Sequence, residues 1–315
     1  MTSVEIFFRK LLILWRSLRD YSAFGLAPSG PPSARPPAFK STGRMCGKPA
    51  RYRMLAEMNA WLTLQQALAA PGLRLAPVRA GLPSPWSEFA RSCFHVKRIP
   101  YSLVDARDPD RGLTSIKTLT GQESLPVVFW NDERPRSSWL DQLLLAERIS
   151  PRPRLLPDDP FERAKVVGLI AELCSEAGFG WHRRVMMIAR LLTEPAFGER
   201  ERGIGHYLSK KYRHNTDSIE GSTKQCEEIV LTFGALRSAG HDYLLGSSLT
   251  ALDLAWAAFA ALIQPLSEDL CPMKPLWRDL YTWMPSVTPR NTLEALLSHR
   301  ERIYRDWLTL PVDLG

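Results

Sequence analysis

A serine followed by a proline, Ser84-Pro85, stands where a predicted strand ends and a predicted helix begins. The apolar run Leu73 to Val78 is typical of a strand, Ser87 to Val96 predicts a helix, and Tyr101 to Val104 predicts a second strand. This strand–helix–strand order is typical of a parallel crossover. The N-terminus of a helix favours an anion, because its backbone N–H groups and its dipole point there. A serine hydroxyl at this position could therefore stabilise a thiolate.

The same stretch contains a cysteine, Cys93, which is a second candidate for thiol chemistry. Phe89, Cys93 and Val96 recur one helical turn apart, so they share one face and should pack against the sheet. This spacing predicts that Cys93 is a core residue rather than a nucleophile. A serine beside a proline is also common in ordinary turns, so the role of Ser84 depends on the rest of the chain.

The positive charge of the chain is concentrated at one end. The 315 residues carry a formal charge of +8, and 45% of them are hydrophobic, which is globular composition. Residues 1–60 hold ten Lys and Arg against three acidic residues, which leaves only +1 for residues 61–315. A nearly neutral body argues against nucleic acid as a partner.

The cysteines and histidines exclude two common kinds of site. Five cysteines without CxxC spacing fit a reducing compartment better than a disulfide framework, so we expect a cytoplasmic protein. The six histidines form no HExxH or paired-ligand pattern, and no metal site is predicted. No apolar run approaches the roughly 20 residues of a membrane-spanning helix, so no membrane span is predicted.

Residues 1–57 differ in composition from the rest of the chain. Val4 to Leu18 alternates large apolar residues with Arg and Lys, and Gly25 to Arg53 is rich in Pro, Ser and Arg. Three interpretations stay open: a disordered extension, a start codon assigned too early, or a mitochondrial presequence. In the last case the location would be mitochondrial.

Further elements of the first half are predicted from pattern. Leu62 to Ala70 reads as a short helix, Leu113 to Thr120 as another, and Leu125 to Trp130 as a strand with a proline near its start. A very short strand around Pro135-Arg136 leads to a helix over 139–148, which Ser137 or Ser138 can cap.

After a proline-rich linker, only helical periods follow. Asp159 before Pro160 predicts a helix start, and Thr250 to Asp253 resembles a capping box before the apolar run 254–262. A helix that is apolar on most of its surface belongs in the middle of a bundle. Lys210 to Arg213 is predicted to be a solvated helix end.

This layout resembles that of the cytosolic glutathione transferases. Ser84-Pro85-Trp86 is similar to the Ser-Pro-Phe or Cys-Pro-Phe turn of the tau and omega classes, and Leu125-Pro126-Val127-Val128 to the family's cis-proline strand. The Arg136-Ser137-Ser138 turn and the segment Tyr243 to Asp253 also resemble family features. The resemblance covers roughly residues 72–310.

The resemblance implies the fold class and the domain limits. The expected fold is an α/β thioredoxin-like domain followed by an all-α helical bundle. The expected parts are an extension over 1–57, a thioredoxin-like glutathione-binding domain over 72–149, a linker over 150–159 and a helical domain over 160–315.

The resemblance also implies site residues. Ser84 would hold the glutathione sulfur as a thiolate, and the backbone of Leu125 before a cis Pro126 would pair with the peptide part of glutathione. Ser137 and Ser138 would bind the γ-glutamyl end, although the family commonly has Glu or Gln where Ser137 stands. No partner for the α-amino group is therefore evident.

The second substrate is expected to bind between the domains. Trp86, Trp181 and Arg184 are candidates for lining that pocket, with Arg183 and Met187 as neighbours. Aromatic and Met residues at helical spacing are also common in cores. Asp253 is predicted to be structural, as a capping carboxylate.

Two functions stay open at this point. The first is an enzyme of detoxification that conjugates glutathione to a small hydrophobic electrophile, without a metal, and that forms a homodimer as the family does. The alternative is a catalytically weak or inactive binding or scaffolding protein with the same fold.

Overall fold

Four strands in the described part of the chain form one mixed sheet in the order β1-β3-β2-β4. The computed structural model describes residues 61–107, 113–213 and 218–314, so the predicted extension over 1–57 lies outside it. Strands β1 and β2 pair in parallel with β3, and β4 pairs antiparallel with β2. The strands are β1 (Trp61–Thr63), β2 (Leu73–Ala76), β3 (Tyr101–Asp105) and β4 (Val127–Trp130).

Strand β1 differs from the sequence prediction. Only Leu64–Ala69 of the predicted helix 62–70 is helical, as α1, because Thr63 ends the strand and caps that helix. The Thr63 hydroxyl accepts from the Gln66 N–H, and the Gln66 side chain accepts from the Thr63 N–H. The sheet thus begins at Trp61, whereas the first domain was predicted to begin at residue 72. The other domain limits stay predictions.

The remaining helices of the first half lie close to their predicted positions. In place of the short strand predicted around Pro135-Arg136, the structure has a single antiparallel bridge between Val128 and Arg136. The Ser138 hydroxyl caps the last of these helices by accepting from the Asp141 N–H at 3.4 Å. The helices are α2 (Pro85–Val96), α3 (Thr114–Thr120) and α4 (Trp139–Ile149).

The described part of residues 160–314 contains helices and no strand. The Asp159 carboxylate accepts from the N–H groups of Phe161 and Glu162, as predicted for a cap before Pro160. The helices are α5 (Pro160–Cys174), α6 (Phe179–Thr193), α7 (Glu199–Tyr212), α8 (Ser218–Ser238), α9 (Ala251–Phe259), α10 (Pro275–Tyr281) and α11 (Arg290–Trp307). A 3₁₀ turn, Ala260–Leu262, extends α9. The predicted fold class, a thioredoxin-like domain followed by a helical domain, is confirmed.

Helix α9 lies at the centre of the described fold. All of its residues are buried, and it packs against α2 of the sheet domain and against α5 and α11 of the helical domain. Its N-terminus depends on Asp253, which is fully buried and accepts from the N–H groups of Leu244 and Thr250 and from the Thr250 hydroxyl. The predicted capping role of Asp253 is confirmed.

Asp253 has a further partner that the sequence did not indicate. His299 on α11 lies with Nε2 3.0 Å from the Asp253 carboxylate, while its Nδ1 faces an Arg302 nitrogen at 3.1 Å. Because a guanidinium can only donate, Nδ1 accepts and Nε2 carries the proton that binds Asp253. One carboxylate therefore joins the start of α9 to α11.

Replacing Asp253 with Ala should lower the free energy of unfolding by about 2–4 kcal/mol, because the change leaves buried donors without an acceptor. Urea denaturation measures this loss. Asp253→Asn keeps one acceptor oxygen and should lose less. Asp306→Ala, at an exposed carboxylate that pairs with neighbouring Arg305, should stay within about 0.5 kcal/mol of wild type. Equal stability of Asp253→Ala and Asp306→Ala would contradict this account.

The four described cysteines lie in the core. Cys93 is 1% exposed, and burial raises its pKa and that of Cys174 far above the usual range. Burial also raises the pKa of Cys226 to about 12 and that of Cys271 above its usual value. Burial and raised pKa values are typical of structural cysteines rather than of activated thiolates. Cys93 is a core residue, as its spacing predicts, and its neighbours include Glu147 of α4 and Cys174 of α5, while its packing against the sheet stays a prediction.

Native protein should therefore resist thiol reagents. Cys46 lies outside the described residues, so the test uses Cys46→Ser. With this variant, reaction with a disulfide reagent should stay negligible at about pH 7–8, because burial keeps the four thiols away from the reagent and raises the pKa of each. In guanidinium chloride all four described thiols should react. Rapid labelling of one thiol in the native protein would show an activated cysteine.

Candidate functional site

Ser84 lies at the N-cap of α2, between the end of β2 and the first helical turn. Its backbone is extended, with φ −106° and ψ 104°, and its carbonyl accepts from the Glu88 N–H at 2.9 Å. Its side-chain hydroxyl makes no capping bond and no other hydrogen bond to the described residues. In the first turn Pro85 has no N–H and the Glu88 N–H is bonded to Ser84, so the N–H groups of Trp86 and Ser87 are left without an acceptor among the described residues. A partly exposed hydroxyl and open N–H groups are thus together at the predicted sulfur position.

The helical domain holds the turn that carries Ser84. The Tyr281 hydroxyl on α10 donates to the Pro83 carbonyl at 3.0 Å, and Tyr281 is 2% exposed. Two nitrogens of Arg184 on α6 donate to the same hydroxyl oxygen at 3.2 Å each. The donor and both acceptor positions of this hydroxyl are therefore used. The sequence did not indicate Tyr281, since an aromatic residue in a short helix looks like any core residue.

Leu125 and Pro126 form the other predicted edge of the site. Their peptide bond is cis, as the sequence predicted. The Pro126 carbonyl accepts from the buried Gln142 side chain at 3.0 Å, and the same amide also donates to the Arg136 carbonyl at 3.1 Å. The backbone N–H and carbonyl of Leu125 make no hydrogen bond within the described ranges. Gln142 is a second positioning residue that the sequence did not indicate.

Ser137 and Ser138 lie at the start of α4. Ser138 is exposed and its hydroxyl caps the helix. Ser137 is half-buried and offers only a hydroxyl at the position where the resemblance leads us to expect Glu or Gln. The nearby Arg136 guanidinium is bound by Glu133, which also binds Arg148. The hydrogen bond from Arg148, with help from Arg136, lowers the pKa of Glu133. Glu133 is thus committed to these two arginines.

Trp86 and Trp181 have packing roles. The Trp86 indole N–H donates to the Cys174 carbonyl at 2.8 Å, and its ring lies edge-on to Phe259 with centroids 5.0 Å apart. The Trp181 ring lies 4.8 Å from that of Tyr212 and joins α6 to α7. Of the three predicted pocket residues, only Arg184 is linked by hydrogen bonds to the Ser84 turn.

A surface pocket of about 360 Å³ lies elsewhere. Residues 154–158 of the linker and 247–250 before α9 contribute to its wall. None of the predicted site residues lines it. In the part of the chain that the structure describes, no group of three or more His, Cys, Asp or Glu could hold a metal ion. Among the same residues, no helix is long and apolar enough to cross a membrane.

Comparison with known proteins gives likeness of structure only. No family model and no curated protein matches the sequence. The β-etherase LigF from Sphingobium sp. strain SYK-6 superposes with a TM-score of 0.53 at 16% identity, over 74% of this chain and 95% of its own. A glutathione S-transferase domain-containing protein from Marinobacter aquaeolei VT8 superposes with 0.52 at 15% identity, over 75% of this chain and 100% of its own.

A third structure is a glutathione S-transferase from Methylobacillus flagellatus KT with glutathione bound. It superposes with a TM-score of 0.51 at 13% identity, over 74% of this chain and 95% of its own. Sequence identities this low show a shared fold and do not show a shared activity. The mixed sheet with a cis proline before β4, followed by a helical domain around α9, is the fold of the glutathione S-transferases.

Proposed function

We propose that this protein is a glutathione transferase in which Ser84 stabilises the glutathione thiolate for attack on a small electrophile. The observation that carries the proposal is the Ser84 hydroxyl, which lies at the N-cap of α2 without making the capping bond. The hydroxyl of an N-cap serine usually accepts a hydrogen bond from a backbone N–H in the first turn of the helix. Here it stays available to a ligand.

The chemistry needs such a group because a free thiol has a pKa near 8.5 and is mostly protonated at neutral pH. A hydroxyl that donates to the sulfur, together with first-turn N–H groups and the helix dipole, favours the thiolate. The thiolate attacks the electrophilic carbon, a bond to the leaving group breaks, and the leaving group takes the electron pair. Serine forms no bond to sulfur, so thiol-transfer through a mixed disulfide is not part of the proposal.

The other contacts follow the length of the tripeptide. The free backbone groups of Leu125, placed before Pro126, would pair with the cysteinyl part of glutathione. The N–H groups at the start of α4, beside Ser137 and Ser138, would take the γ-glutamyl carboxylate. A structure of the same fold with glutathione bound, that of the Methylobacillus flagellatus protein, supports this choice of ligand.

A second function is favoured by one observation. Ser137 offers no carboxylate or amide for the α-amino group, and Glu133 nearby is occupied by two arginines. A protein of this fold with weak glutathione binding could act as a binding or scaffolding protein. Homodimer formation and a cytoplasmic or mitochondrial location stay predictions for either function.

Ser84→Ala should lower kcat/KM for conjugation about 10- to 100-fold, because a hydrogen bond to a charged sulfur is lost. The pKa of bound glutathione, followed by thiolate absorbance, should rise by about one unit or more in this variant. Ser92→Ala is the matched control, since the Ser92 hydroxyl on the same helix donates only to the Glu88 carbonyl. Unchanged kinetics and unchanged thiolate absorbance in Ser84→Ala would contradict the proposed role.

A gain of thiol chemistry at the same position also tests whether Ser84 is aligned with the glutathione sulfur. Ser84→Cys places a thiol at the start of α2, where the helix N-terminus lowers the pKa of a cysteine. We expect this variant to reduce a glutathione mixed disulfide, measured by coupled reduction, while Ser92→Cys does not. Absence of this activity in a folded Ser84→Cys protein would mean that the turn is not aligned with the glutathione sulfur.

A further inference from the structure

The turn that leads into Ser84 makes a second contact with a distant part of the chain. The Gly81 N–H donates to the Leu314 carbonyl at 3.1 Å. Gly81 has a φ of +64°, in the left-handed region that favours glycine. Leu314 belongs to the C-terminal segment, residues 308–314, which follows α11 and contains neither helix nor strand. This segment therefore reaches back to the turn, three residues before Ser84.

The C-terminal segment is anchored at the two residues before Leu314. The side chain of Val312 is buried, and its N–H donates to the Leu270 carbonyl at 2.7 Å. Nη1 of Arg91 donates to the Asp313 carbonyl at 2.9 Å and lies 3.3 Å from the Asp313 carboxylate. The same nitrogen lies 3.3 Å from the Glu88 carboxylate. Because Arg91 and Glu88 are on α2, the segment is joined to the helix that begins after Ser84.

Ser84 has little freedom of its own. It lies between Pro83 and Pro85, which are both buried. A proline ring fixes φ, so few backbone torsions between Gly81 and the start of α2 can vary. The Pro83 carbonyl is held by Tyr281. The direction of the Ser84 hydroxyl therefore depends on where the turn is held, at Gly81 and at Pro83.

We propose that the C-terminal segment is a positioning element of the glutathione site, which holds the turn at Gly81 so that the Ser84 hydroxyl points at the glutathione sulfur. The Leu314 carbonyl makes the contact with the turn, and the contact between Arg91 and Asp313 keeps that carbonyl in place. The inference rests on the proposed transferase function and adds residues that serve the same step. Because they act through Ser84, they are positioning residues.

One charge placed at two positions of the segment tests this role in the full chain. Val312→Asp puts a carboxylate at a buried apolar position, and because burying an unpaired charge is costly, the segment should leave its place. Thr309→Asp is the matched control, since it adds the same charge to the same segment at an exposed position. Asp313→Ala is a milder change that removes only the carboxylate from Arg91. Circular dichroism checks that each variant folds.

Hydrogen exchange measures the contact itself. The Gly81 amide should be protected in wild type and in Thr309→Asp, because it is bonded to the Leu314 carbonyl. In Val312→Asp it should exchange faster, because the segment that carries this carbonyl is released. A Gly81 amide without protection in wild type would overturn the inference.

A thiol introduced by Ser84→Cys reports the position of residue 84 without glutathione. The pKa of this thiol, followed by thiolate absorbance, should lie below its usual value, because the start of α2 favours the anion. Val312→Asp should raise this pKa by about half a unit or more, since a loosely held turn no longer keeps the sulfur beside the helix N-terminus. Asp313→Ala should raise it less, and Thr309→Asp should leave it unchanged.

An unchanged thiol pKa in a folded Val312→Asp protein, whose Gly81 amide exchanges faster, would overturn the inference. If Val312→Asp does not fold, Asp313→Ala decides, because this side chain is 53% exposed and its loss should be tolerated. An unchanged thiol pKa in Asp313→Ala would then overturn the inference.

Conjugation by the protein with its native Ser84 separates this inference from the proposed function. Val312→Asp should lower kcat/KM about 3- to 10-fold, and it should cause little further loss when combined with Ser84→Ala, because both changes act on one hydrogen bond. Conjugation that Val312→Asp leaves unchanged would keep the transferase and overturn the positioning role. A thiol pKa that responds to Val312→Asp, without conjugation by wild type, would keep the positioning of residue 84 and overturn the transferase function.

Discussion

The hydrogen bond from the Tyr281 hydroxyl to the Pro83 carbonyl is the contact on which the proposed site depends. It fixes the turn before Ser84 from the helical domain, and Arg184 in turn holds the Tyr281 oxygen with two donors. A loop between a strand and a helix is normally free to vary. Here the start of α2 is fixed by the sheet on one side and by α10 on the other. The Ser84 hydroxyl is therefore presented at a defined position.

Helix α9, at the centre of the described fold, supports this arrangement through its contact with α2. The helix that carries Ser84 at its N-cap therefore packs against a helix whose residues are all buried. Trp86, the second residue of α2, adds to that contact by packing on Phe259 and by donating to the Cys174 carbonyl. Asp253 then joins α9 to α11 through His299. The site and the core are thus parts of one packing arrangement.

Local signals in the sequence were sufficient for most elements. Capping residues such as Asp159 and Thr250 act within a few positions, so their pattern predicts helix starts, and the spacing of Phe89, Cys93 and Val96 predicts their buried face. Contacts between distant positions could not be predicted in this way. Tyr281 and Pro83 are 198 positions apart, and Gln142 reaches Pro126 across 16. Strand β1 was missed because three residues are too short to show a period of two.

The two ends of the proposed glutathione site differ in how well they are equipped. The sulfur end has a free hydroxyl and open N–H groups, whereas the amino-acid end has Ser137 in place of a longer acceptor. Isothermal titration calorimetry of the full chain with glutathione tests this account most directly. We predict saturable binding with a stoichiometry of one site per chain, weakened in Ser84→Ala. The absence of any heat of binding by a folded protein would contradict the transferase function.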